Sequence, residues 1–509
     1  MSCLLLSASI LIVTTTITGA AAVWLARTAA RRYGFVDKPD GHRKLQSNAV
    51  AVSGGLGVLL GAVGGLVLVG LFVPEAASAL TDRPEQTWSL LAAAVVIALV
   101  GLVDDLVSLR ARHKLIGQIA AALILAGPGG YLIENISLFG NSIALGQAAL
   151  PITLFWFLAA VNAINLLDGM DGLLGTIGII IFGGVAAMAF SVGQLFVGFV
   201  ALGMVGSLIG FLIFNLPPAT VYLGDCGSML IGLVIAALTI TASLKGPAVA
   251  ILAPAALLVL PILDTTAAIV RRKLTGRGLA IADRGHFHHE LQRRGMNRWR
   301  VLGIAGGIGL IGTSGALVGI LAQNDMFAVA SAAVVVLLLL LTGWFGLAEL
   351  RLLTARAYAV LDGARGRKDS VETAVHVQGR AEWRNLWRKL IDASNAMGVQ
   401  SLRLDVNAPA WHESFHGRWD RSDSQIGAMP QNFWKLELPV VCREIVVGKM
   451  TVVGLPDGLP MGEQMASLWT ILLEVETILP TLKRPTLSIA TCGPEMPISP
   501  EPAALPASA

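Results

Sequence analysis

Eleven stretches of this chain are apolar enough to cross a lipid bilayer, and that one feature rules out a soluble globular fold. A transmembrane helix needs about 20 predominantly apolar residues. Runs of that kind lie near 3–25, 54–74, 88–107, 114–128, 150–164, 172–190, 192–213, 227–243, 248–270, 301–321 and 326–348. The fourth and fifth are short, so ten spans is the alternative count. Charged residues make up 14% of the chain, where a soluble chain carries about 25%. The first run ends in Gly19-Ala20-Ala21-Ala22, which resembles a cleavage site. No Lys or Arg precedes it, however, and Arg27, Arg31 and Arg32 follow. That polarity is wrong for a signal peptide, so an uncleaved helix is expected.

The net charge of +4 says little; its placement says more. Loop 26–53 holds Arg27, Arg31, Arg32, Lys38, Arg43 and Lys44, and 271–300 holds nine Lys or Arg residues. The loops of the opposite side carry only Arg83 and Lys245. Positive loops stay in the cytoplasm, so both basic loops and the C-terminal region are expected there.

With that orientation the unusual polar residues all fall at one membrane face. Asp104-Asp105 ends the third span. Asn162, Asn165, Asp168 and Asp171 end the fifth, and Gly224-Asp225-Cys226-Gly227-Ser228 opens the eighth. Ionisable groups at membrane depth cost a few kcal/mol or more and default to functional candidates. The bland alternative for Asp104 and Asp105 is that they cap the following segment. The i, i+3, i+6 spacing puts Asn162, Asn165 and Asp168 along one helix face, and oxygen ligands of this kind suit Mg²⁺ or Mn²⁺. A glycine-bearing loop entering a helix can face an anion. Asp225 would sit badly there without a bridging cation, which makes it a metal-ligand candidate.

Asp264 lies in the ninth span, and Asp283-Arg284 then precedes His286-Phe287-His288-His289. Zinc would want further ligands at set spacings. The four cysteines, Cys3, Cys226, Cys442 and Cys492, supply neither these nor a disulfide framework. Because the same loop is dense in arginine, a phosphate-contacting role is expected.

Taken together, Asp37-x-Pro39, Arg43-Lys44, Gly54-Gly55, Asp104-Asp105 with Lys114, NAINLLDGMDGL at 162–173, GDCGS at 224–228 and ADRGHFHHEL at 282–291 resemble the polyprenyl-phosphate N-acetylhexosamine-1-phosphate transferase family. The resemblance covers roughly residues 35–295. It implies an undecaprenyl phosphate acceptor, a UDP-sugar donor, Mg²⁺ or Mn²⁺, and UMP as product. It further implies that Asp104, Asp105, Asp168 and His288 are catalytic, with one of the Asp104-Asp105 pair deprotonating the lipid phosphate. Asp225 and Asp168 would hold the metal; Lys114, Asn162, Asn165, Asp171, Arg271, Arg284, His286 and His289 would bind substrate. The histidine loop resembles the GlcNAc-type branch; the phospho-N-acetylmuramoyl-pentapeptide transferases, whose loop usually reads Pro-Leu-His-His-His, are the alternative. One departure stands out. At 43–55 the histidine, both prolines and the second arginine of the family's usual RKxHxxPxPRxGG form are absent.

The expected architecture is therefore an all-α polytopic membrane protein of about eleven transmembrane helices over 1–348. A small cytoplasmic α+β domain follows over 349–483, and 484–509 is Pro/Ala/Ser-rich and expected to be disordered. Within the domain a basic helix is expected at 349–366, strands at 371–378, 399–407 and within 433–453, and helices at 380–396 and 462–480. His376, His412 and His416 form no ligand set, so the domain is expected to serve regulation or an unknown cytoplasmic partner. The expected location is the bacterial inner membrane, and a homodimer is left open. A transporter would show polar residues near the midplane in repeated halves, which this chain does not. A membrane scaffold would leave the aspartates unexplained.

Overall fold

The computed structural model describes residues 2–37, 49–138, 141–243, 252–274, 285–346, the short pieces 349–350 and 353–354, isolated residues near 462 and 469, and most of 370–454. Eight helices among the described residues are long and apolar enough to cross a membrane. They are α1 (Ser2–Arg32), α2 (Gly54–Phe72), α4 (Pro84–Val107), α6 (Ala149–Leu167), α7 (Leu173–Ser191), α8 (Leu195–Asn215), α9 (Gly224–Ser243) and α13 (Arg298–Leu321). Shorter helices accompany them: α3 (Pro74–Thr81), α5 (Ala111–Ala126), α10 (Leu252–Leu257), α11 (Val259–Leu274), α12 (Phe287–Arg293) and α14 (Met326–Leu341).

The run expected as one span at 248–270 is interrupted at Leu258, between α10 and α11. Pro261 explains the break. Its ring has no N–H to give to the carbonyl of Leu257 and clashes with it.

The centre of the bundle is α9, whose side chains from Cys226 to Ile240 are almost continuously buried. Lipid tails are as apolar as Leu, so helices in a membrane gain by close packing, and small residues permit it. A Cβ on Gly101 would strike the backbone of Cys226, and one on Gly55 would strike Gly227. α4 and α2 can therefore clamp the first turn of α9 only as glycine-bearing helices. The same end is fastened by a small sheet of β1 (Val36–Asp37), β2 (Val50–Val52) and β5 (Val221–Tyr222). In it β1 pairs antiparallel and β5 parallel with β2. A hairpin, β3 (Asn135–Leu138) with β4 (Asn141–Ala144), joins α5 to α6.

Beyond the bundle lies an antiparallel sheet of β6 (Ser370–Gln378), β7 (Val399–Ala408), β8 (Glu413–Arg421), β9 (Trp434–Cys442) and β10 (Ile445–Gly454), in the order β6-β8-β7-β10-β9. Helix α15 (Trp383–Ala396) packs on one face. Trp383, Trp387 and Leu390 close there over Leu402, Leu404, Phe415 and Trp419 as a core of their own. Strand β8 was not expected from sequence. Its ESFHGRWDR run has only Phe415 and Trp419 as large apolar residues, and its inward alternation is completed by Gly417, which lies under the Trp387 ring. The helix expected at 462–480 and the one at 349–366 lie almost wholly outside the described residues, and 484–509 lies outside them entirely.

Candidate active site

Three helix ends meet at one end of the bundle: the last turn of α4, the last turn of α6 and the first turn of α9. Each delivers acid, and α5 delivers the balancing cation. Lys114 Nζ lies 2.6 Å from Asp104 and 2.5 Å from Asp225, bridging two helices that sequence separates by more than a hundred residues. Asn165 donates from Nδ2 to Asp225 and to Ser228 Oγ, each at 2.8 Å. One face of Asp225 is thus oriented by an amide and the other by an ammonium.

The adjacent acids divide their work. Asp105 accepts from the backbone N–H groups of Asp225 at 2.9 Å and Cys226 at 3.2 Å. It caps α9 from a neighbouring helix, where a negative charge is favoured by the helix dipole. Asp104 accepts from the Leu109 N–H at 2.6 Å, so it does cap the segment that follows it, while its other oxygen meets Lys114. Neither carboxylate is left idle for proton abstraction.

Asp168 ends α6 and is half-buried at the C-cap. Burial, then the charges of Asp225 and Asp105, push its carboxyl up to about 7. Asp104 and Asp225 share one lysine, and Asp168 lies within reach of the charges of Asp225 and Asp105; that excess of acid is what a hard divalent cation would neutralise. Asp225 and Asp168 supply the oxygen donors such an ion takes, so the residues present fit it.

Other expected site residues are placed as follows. Asn162 exchanges a 2.9 Å hydrogen bond with Gln118 of α5, which ties α6 to α5 one turn beyond Lys114. Asp171 accepts from Arg298 at 2.6 Å and from the Ala219 N–H at 3.3 Å, joining the α6–α7 loop to α13. The His288 ring is buried, with neither nitrogen bonded to a described residue. Its burial, then His289 and His286, hold it well below the usual imidazole range, so it is neutral at pH 7. It lies against Gly169, where a Cβ would occupy the ring's own space. His289 sits beside it, ring centroids 4.2 Å apart. Arg271 is buried and paired with Glu349, its guanidinium packed on Gly285. That is a fastening of the histidine loop rather than an exposed anchor for a donor. Arg284 lies outside the described residues, as do Arg43 and Lys44.

Sequence reasoning missed Gln118, Arg298 and Asn215. Asn215 accepts from the Gly172 N–H at 2.9 Å and donates to the Val221 carbonyl at 2.8 Å. Gln118 had a signal: a buried polar residue one turn after Lys114 in an apolar helix.

The profile of the family described as glycosyl transferase family 4 matches residues 87–243, the stretch that contains Asp104, Lys114, Asp168 and Asp225. The decaprenyl-phosphate N-acetylglucosaminephosphotransferase of Mycobacterium tuberculosis is 33% identical over 303 residues, covering 54% of this chain and 73% of the relative. The chain belongs to glycosyl transferase family 4. Within that family it is also similar to the probable undecaprenyl-phosphate N-acetylglucosaminyl 1-phosphate transferase of Bacillus subtilis, at 29% identity over 54% of this chain and 74% of the relative. The phospho-N-acetylmuramoyl-pentapeptide-transferase of Geobacillus kaustophilus is 31% identical over 54% of this chain and 84% of the relative. As a family 4 member, the chain carries its acid cluster inside the matched segment, and its C-terminal sheet lies outside it.

Proposed function

We propose that this family 4 member transfers N-acetylglucosamine-1-phosphate, or a related HexNAc-1-phosphate, from a UDP-sugar to undecaprenyl phosphate, releasing UMP. The observation that carries the reading is the junction of α4, α5, α6 and α9, where Lys114 bridges Asp104 and Asp225 beside Asp168. Two relatives named for GlcNAc-phosphate transfer to polyprenyl phosphates and the His286-Phe287-His288-His289 form support GlcNAc. The pentapeptide-transferase relative at 31% identity keeps UDP-MurNAc-pentapeptide as the second reading.

Two anions must meet here, so charge neutralisation and positioning are the main requirements. Mg²⁺ or Mn²⁺ held by Asp225 and Asp168 would neutralise the diphosphate. Lys114 offers its ammonium to the same anionic groups. An oxygen of the lipid phosphate attacks the β-phosphorus, the bond from that phosphorus to the bridging oxygen breaks, and UMP leaves with the electron pair. A phosphomonoester is largely a dianion near neutrality, its second pKa being about 6, so direct attack needs no strong base. That agrees with a cluster in which Asp104 and Asp105 are already engaged; Asp105 then acts by positioning α9. The charge asymmetry of the loops supports a multi-pass inner-membrane protein of about eleven spans. It also supports a cytoplasmic side for the acid cluster and for the C-terminal domain (349–483), the latter serving regulation or a partner.

UMP release by membranes given undecaprenyl phosphate, Mg²⁺ and either UDP-GlcNAc or UDP-MurNAc-pentapeptide tests the reading. Activity with UDP-GlcNAc, abolished by Asp225→Ala, is expected. Full activity in that variant would sink the metal assignment, and no UMP from any UDP-sugar would sink the transferase.

A further inference from the structure

α12 is seven residues long, and isolated helices shorter than about 12–15 residues are marginal in water. Its place is therefore set by what packs on it. One face meets the loop between α6 and α7. His288 rests on Gly169, and Gln292 donates from Nε2 to Met170 Sδ at 2.9 Å. Residues four apart share a helix face, so this face of α12 covers the loop that joins Asp168 to Asp171.

The neighbouring face is gripped by the turn that follows α14. Gly343 and Gly346 have left-handed φ of +63° and +88°, a conformation glycine adopts without steric cost. Through them the chain leaves the end of α14 and comes to lie against α12. Residues 343–349 then make three contacts. Arg294, the C-cap of α12, donates from Nη2 to the Gly343 carbonyl. Phe345 meets Phe287 edge to face, with centroids 6.0 Å apart and planes at 79°. Glu349 pairs with Arg271, whose guanidinium packs on Gly285 just before α12. Phe287, Phe345, Arg271 and Glu349 are all buried, so these are packed contacts rather than surface ones. One short segment thus holds α12 before its start, at its first residue and at its end. That segment lies well beyond residues 87–243, which the family profile matches.

We infer that Phe345 and Glu349 are positioning residues for the transfer. Through them the turn after α14 straps α12 onto the Asp168–Asp171 loop and keeps Asp168 in place beside Asp225. The inference rests on the transferase reading above. Neither residue belongs to the acid cluster; both act through α12.

Phe345→Ala and Glu349→Gln in the full-length protein in nanodiscs test this. A misplacement of about 1 Å can cost about a hundredfold in rate, so kcat for UMP release should fall at least about tenfold in each. The two act on one element, so the double variant should lose little more than the worse single one. Amide hydrogen exchange supplies the readout that a general loss of stability would not reproduce. Exchange should speed up in 287–293 and stay at the wild-type rate in α9. Wild-type turnover in both variants, unchanged exchange in α12, exchange raised equally in α9, or losses that multiply would overturn the inference. Wild-type protein that forms no UMP would instead overturn the transferase reading, and the exchange pattern would still decide whether the strap holds α12.

Discussion

Adjacent aspartates invite a shared role, yet Asp104 and Asp105 point to different helices. Asp105 spends both oxygens on N–H groups of α9. Asp105→Asn keeps one carbonyl oxygen there and removes the charge, so it should cost about 1 kcal/mol of stability and leave most of the UMP release. Thermal unfolding and turnover of the same preparation check this; inactivity equal to that of Asp225→Ala would place Asp105 in the chemistry. Asp168 behaves differently. Its carboxyl is pushed up to about 7 by burial and by neighbouring charge, so near neutrality a proton competes with a cation for it. Raising the pH through about 7 deprotonates the ligand, and the Mg²⁺ concentration for half-maximal activity should therefore fall from about pH 6 to about pH 8. A requirement that rose with pH, or did not move, would take Asp168 out of the metal site. The sequence marked all of these acids because charge stands out in an apolar chain. It could not tell a cap from a ligand, since that depends on which N–H groups the fold brings within reach.

At the scale of elements, the site exists because three helix ends can approach closely. Gly101 of α4 faces the backbone of Cys226, so Gly101→Val should force α4 off α9 and separate Asp104 and Lys114 from Asp225. A clear drop in Tm together with loss of UMP release is expected, as overpacking costs about 1–3 kcal/mol. A fully active, equally stable variant would mean that the clamp is dispensable. Apolar runs made most long helices legible, because hydropathy reports them directly. Short elements were not legible in the same way. β1, β2 and β5 hold two or three residues each, too few for a period-2 pattern to register, and they form only because α1, α2 and α9 bring them together. The break at Leu258 could have been read from Pro261, whose effect falls one turn earlier in the chain.

Across the whole molecule, the acid cluster and the C-terminal sheet have separate cores. The first is closed by α9 and its neighbours, the second by Trp383, Trp387, Phe415 and Trp419. Every acid, amide and lysine of the cluster precedes residue 226, and Glu349 is the partner of Arg271. A chain ending at 366 should thus release UMP at the rate of the full protein in detergent or nanodiscs; inactivity of a folded truncation would give the sheet a direct part in catalysis. The central claim is that the junction of α4, α5, α6 and α9 transfers a phosphosugar, not a sugar alone. The measurement that meets it most directly uses UDP-GlcNAc labelled in the β-phosphate, undecaprenyl phosphate and Mg²⁺ with the nanodisc protein. Label should pass to the lipid in the wild type and stay in the nucleotide with Asp225→Asn. Label retained in UDP by the active wild type, or transfer undiminished in Asp225→Asn, would contradict the account.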